Sequence, residues 1–168
     1  KIVDEGLPTS RCQQSILECL SAVGAHGGFG ILAHVDVGSG FEHENPGASP
    51  HKIDVICHAA LAGIEVKHAT SDIFYAPSDS NADRSRMGDQ RIKRLGLGSR
   101  QYLARVTNSD SHALSALGRN ASNDKRITRY KMDAPSFSAL RIALDDADAR
   151  VRIEDLIPQA IPHLVGIA

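Results

Sequence analysis

Tyr102-Leu-Ala-Arg-Val-Thr-Asn-Ser-Asp-Ser-His112 is the stretch on which the reading of this chain turns. Residues 102–107 are dominated by aromatic, β-branched and apolar types, the composition of a buried strand. Asp110 and His112 follow at once, two residues apart, so an extended or tightly turned segment aims both the same way. A carboxylate and an imidazole thereby sit at the C-terminal mouth of a strand, where α/β enzymes keep their chemistry. Upstream, Phe29-Gly-Ile-Leu-Ala-His34-Val-Asp36 repeats the pattern, an apolar run that delivers a histidine at its end.

Around these two runs, strands and helices alternate. Residues 10–24 read as a helix with Ser10 as N-cap and an Ile16, Leu17, Leu20, Val23 stripe. Residues 37–51, rich in Gly, Ser, Pro, Glu and His, read as a long loop of the kind that is often functional. A helix is expected over 53–62, a strand over 63–66, a basic helix over 84–95 ending at Gly96, and a strand over 127–132. Asp133-Ala-Pro-Ser136 reads as a helix start, with Phe137, Leu140 and Leu144 as the apolar face. Residues 151–153 are short and extended. Such alternation predicts an α/β fold with a mostly parallel sheet.

Composition sets the bounds. The 168 residues amount to one domain, 42% hydrophobic and 23% charged, with a formal net charge of −1 that argues against a generally basic nucleic-acid binder. No run approaches the length of a membrane span, and the chain opens with no signal-peptide pattern. It begins at Lys1 and so reads as a piece of a longer protein. Three cysteines, Cys12, Cys19 and Cys57, lack metal-knuckle spacing; Cys12 and Cys19, seven apart, are expected on one helical face as thiols. A reducing cytoplasmic location is expected.

The chemistry-bearing candidates are His34, Asp110 and His112, with Asp36, Glu65 and His68 in reserve. Imidazole nitrogen with carboxylate oxygen suits Zn, Mn or Fe better than Ca or Mg, and such an ion lowers the pKa of bound water. Glu65 alternates with Ile64 and Val66; it faces either a cleft, as ligand or as acceptor for one, or solvent at an edge. The Gly24–Gly30 cluster lacks the Lys-Ser/Thr of a phosphate loop and reads as a turn. Seven cations between residues 84 and 105 either line a phosphate backbone or form a solvated helix face.

Taken in order, Gly27-Gly-Phe-Gly-Ile-Leu-Ala-His34, Leu61-Ala-Gly-Ile-Glu-Val66 and Asn108-Ser-Asp-Ser-His112 with Leu117-Gly118 resemble the later half of a PHP (polymerase and histidinol phosphatase) domain. The block from Tyr130 to Arg152 is similar to the TrlF-type proteins, in which a PHP domain precedes an ATPase. The resemblance implies a partial (β/α)7 distorted barrel over 1–156, with 157–168 as linker or start of the ATPase domain. It implies a metal-dependent phosphoesterase holding divalent ions on His34, Asp110, His112 and, less directly, Glu65, with Asp110 and His112 catalytic. It also implies a phosphoester substrate, nucleic acid among the candidates, and the ATPase domain as a partner in the same protein. The alternative it leaves is a catalytically incomplete interaction or regulatory module. Two departures stand out. His34 precedes Val35-Asp36 where many members have Pro, and the family's opening His-x-His occurs nowhere in these residues. Strand edges exposed in a partial barrel would pair, so a homodimer is expected.

Overall fold

In a computed structural model of the chain, residues 2–3, 11–120 and 122–153 are described. The expected N-cap Ser10 and the tail 157–168 lie outside them. Three consecutive parallel strands form the centre: β3 (Gly30–Leu32), β4 (Leu61–Glu65) and β5 (Ala104–Val106), ordered β3-β4-β5. β1 (Ile2–Val3) and β2 (Arg11–Cys12) pair antiparallel, as do β6 (Thr128–Tyr130) and β7 (Val151–Ile153). The fold is therefore mixed α/β with an open parallel sheet. Every residue of β4 is buried, as befits the middle strand of a sheet covered on both faces.

Helices begin where local chemistry caps them. α1 (Ile16–Ala25) starts at Ser15, whose hydroxyl accepts from the Glu18 N–H while Glu18 reaches back to the Ser15 N–H. This places Cys12 on β2 instead of on the helix, yet its sulfur lies 3.8 Å from that of Cys19. α2 (Phe41–Glu44) interrupts the expected loop, and α3 (Pro50–Ile56) begins at the Ser49 cap with Pro50 in its first turn. α4 (Ala82–Leu95) runs from the Asn81 cap to Gly96, whose φ of 62° supplies the left-handed stop. α5 (Phe137–Asp145) is capped by Ser136, and α6 (Ala147–Arg150) leads straight into β7.

Two apolar clusters sandwich the sheet. One joins Leu20, Val55, Ile56 and Met87 of the helices to Leu61, Ile64 and Val66. The other joins Ala104 and Val106 to Leu144 and Val151. In the β4–β5 register Ile64 stands beside Arg105 and Glu65 beside Val106, so Glu65 belongs to the face opposite Ile64. The 37–51 segment is tied down by ions: Glu42 takes the buried Lys52 ammonium at 2.9 Å, the Arg84 guanidinium at 3.6 Å, and the Tyr75 hydroxyl.

Candidate functional site

The three parallel strands end on one edge, and the predicted residues leave from there. His34 sits in the turn after β3, Glu65 closes β4, and Asp110 follows β5. His34 and Asp110 both adopt left-handed backbone, with φ of 48° and 53°. That region costs an L-residue about 1–2 kcal/mol, and such departures gather at functional sites. The His34 turn is held from two sides. Val35 N–H donates to the Glu65 carbonyl at 2.9 Å, and Gly40 packs so tightly on the His34 carbonyl that a Cβ would overlap it.

The side chains meet. His34 Nδ1 lies 3.3 Å from Glu65 Oε2, and His34 Nε2 lies 3.8 Å from Asp110 Oδ2. Glu65 is only 7% exposed and its carboxylate lies against the His34 ring, so it is not a solvated edge residue. Its Oε1 is buried without a hydrogen-bond partner, and so is His34 Nδ1, the 3.3 Å approach lacking hydrogen-bond geometry. Two orphaned buried polar atoms side by side are costly unless something satisfies them. Lys67 completes the row, its ammonium donating to Asp110 Oδ2 at 3.0 Å. That hydrogen bond, then the Lys67 charge, holds the Asp110 carboxyl below the usual carboxylate range, with smaller contributions from His34 and His112.

The remaining candidates divide. His112 is exposed on the way to the 3-10 turn Leu114–Ala116 and acts on Asp110 through charge. Asp36 is not a free ligand: its two oxygens accept from the Lys67 and His68 N–H groups at 2.8 and 3.0 Å, fixing the backbone that carries Lys67. His68 is exposed at the same bend. His58 Nδ1 accepts the Ala60 N–H, so Nε2 carries the proton and donates to the Ser21 hydroxyl at 3.1 Å. That tautomer cannot activate Ser21 as a nucleophile.

Among the described residues, no group of three or more His, Cys, Asp or Glu side chains closes around a point suited to a metal ion. The donors nevertheless fit one in kind. An ion between His34 and Glu65 would satisfy the orphaned Nδ1 and Oε1 with the nitrogen and oxygen mix that Zn, Mn and Fe prefer, while Asp110 faces the other ring nitrogen, Nε2. Lys67 escaped the reading of the sequence. It stands two residues beyond Glu65 and so leaves the strand end on the same side, which is the signal that would have found it.

The class this defines is an open parallel α/β protein with a carboxylate–imidazole–ammonium row at the C-terminal edge of its sheet. No family model, curated protein or solved structure matches the chain.

Proposed function

We propose that the chain is the later part of a PHP-type metal-dependent phosphoesterase. The observation that carries this reading is the convergence of His34, Glu65 and Asp110 from three parallel strand ends, two of them in left-handed backbone. His34, Glu65 and Asp110 would hold divalent Zn, Mn or Fe, Glu65 on the Nδ1 side of the imidazole and Asp110 on the Nε2 side, with His112 nearby. When bound, that ion supplies Lewis acidity that makes water nucleophilic near neutral pH. Lys67 keeps Asp110 ionised and adds positive charge where phosphoryl oxygens gather. His112, exposed and close enough to Asp110 to act on it through charge, would pass a proton to a departing oxygen. The substrate is a phosphoester, with nucleic acid or a nucleotide as the class that an ATPase partner and a cytoplasmic setting suggest.

The test is hydrolysis of simple phosphodiesters by the full-length protein with Mn²⁺ or Zn²⁺, beside an Asp110→Ala, His112→Ala double variant. Loss of turnover in the variant supports the roles given; equal rates would remove both residues from the mechanism. One observation favours a second reading, an interaction module built on the same scaffold: the Lys67 ammonium already occupies Asp110. That reading predicts no metal-dependent turnover in the full-length protein and no gain from replacing Lys67.

A further inference from the structure

Next to the row lies a cavity of about 280 Å³ lined by Val37, Lys67, His68, Asn108, Ser109, Asn120 and Arg126. Six of its seven lining residues carry polar side chains and none is a carboxylate. Lys67 and Arg126 bring two fixed charges, and Arg126 Nη1 donates to the Lys67 carbonyl, locking the two cationic segments together. Asp36 holds the Lys67 and His68 N–H groups from behind, and Asn120 is fixed by accepting from Ser122 and Asp124 N–H at 3.0 and 2.8 Å. The wall is pre-organised and offers donors. Guanidinium, ammonium and hydroxyl groups in one wall recognise an oxyanion, the Lys67 ammonium being shared with Asp110 and the Asn120 amide with Asp124.

His34, Glu65, Asp110 and His112 do not line this cavity. An anion seated in it is therefore not the group under attack at the row. Lys67 joins the two places, its ammonium on Asp110 and its side chain in the cavity wall. We infer that the cavity is a second anion subsite, and that the substrate carries two phosphates: one reacting at the row, one held by Lys67 and Arg126. The volume, just below the range of small-molecule cavities, accommodates a phosphate together with part of the group that carries it. The substrate class is then an oligonucleotide or a nucleotide with a neighbouring phosphate, rather than a lone monoester. This rests on the phosphoesterase reading for the role of the subsite, but not for its existence.

The subsite is tested first without catalysis. Inorganic phosphate is titrated into the full chain in the presence of a chelator and followed by calorimetry. Wild type should bind, and Arg126→Gln should bind about tenfold more weakly, the loss of one charge-assisted contact. Ser109→Asp, which places a carboxylate in the cavity wall, should bind weakly too and covers the case in which Arg126→Gln unfolds. No binding by wild type, or equal binding by wild type and both variants, overturns the subsite. With metal present, a dinucleotide bearing a terminal phosphate should show a lower KM than one lacking it, and Arg126→Gln should abolish that difference. Equal KM values for the two dinucleotides overturn the two-phosphate substrate. Phosphate binding that depends on Arg126, without any turnover, keeps the subsite and rejects the phosphoesterase reading instead.

Discussion

His34 and Asp110 show what a residue gives up to serve a site. Each sits in a backbone region an L-residue avoids, and each is kept there by its surroundings. For His34 the retaining contact is Gly40, whose missing Cβ leaves room for the His34 carbonyl. Gly40→Ala must push that carbonyl away and rotate the imidazole from Glu65. We expect it to lower metal affinity about 10–100-fold, the range for disturbing the support of a ligand. Zinc titration of the two proteins checks this, and an unchanged affinity would mean the turn does not position His34. The Asp-x-His pair was legible from its residue types after an apolar run; the structure puts Asp110 four residues past β5 in left-handed backbone, where strand alternation no longer sets direction. The left-handed φ values were not legible, since Asp and His visit that region more often than most residues but still too seldom for their type alone to announce it.

Among the elements, α4 departs most from its sequence. Its cations read as a solvated face or a phosphate-binding stripe, but several turn inward. Arg91, 6% exposed, donates to the carbonyls of Ile56, His58 and Leu61 and so joins the end of α3 to the start of β4. Arg84 pairs with Asp79 at 2.9 Å, and Arg94 with Asp54 at 2.9 Å. Partners such as the Ile56 carbonyl lie 35 residues away, so no local pattern announces them. Arg91→Leu leaves buried carbonyls unsatisfied and should cost about 3 kcal/mol in denaturant unfolding. A change within about 0.5 kcal/mol would show that water replaces the guanidinium.

Asp79 gives the same element its pH dependence. Burial pushes its carboxyl up, but the Arg84 hydrogen bond and the Phe74, Asn81 and Tyr75 N–H groups outweigh it, so the net shift is downward. A carboxyl lowered on folding contributes stability that is complete above the ordinary carboxylate range. That contribution disappears as pH falls through the lowered folded value. Asp79→Asn should therefore cost about 3 kcal/mol at neutral pH and flatten the acid limb of the stability curve. Parallel limbs in wild type and variant would exclude Asp79 as the source.

At the scale of the whole molecule, the alternation of apolar runs with helical stripes made the parallel α/β centre readable. The antiparallel pairing of β6 with β7 was not readable, because direction depends on how the chain returns and not on the composition of either strand. The β4 strand begins at Leu61, inside the stretch expected to be helical; an apolar run this short does not separate buried helix from buried strand. Among the described residues the parallel sheet is open and has three strands, so the expected (β/α)7 barrel is not shown, yet three strand ends still come together. Among the described residues no helix is long and apolar enough to cross a membrane. Thr128 Oγ1 accepts from the Thr107 N–H and donates to the Thr107 carbonyl, tying the end of β5 to β6.

Divalent-metal binding by His34, Glu65 and Asp110 is the property on which the proposed function depends. Its most direct measurement is zinc and manganese binding by wild type, His34→Ala and Asp110→Asn, with thermal melts of each alongside. The account predicts binding by wild type that both substitutions weaken about tenfold or more, with the melting midpoint of Asp110→Asn unchanged. Equal binding by all three, or none by wild type, would contradict it.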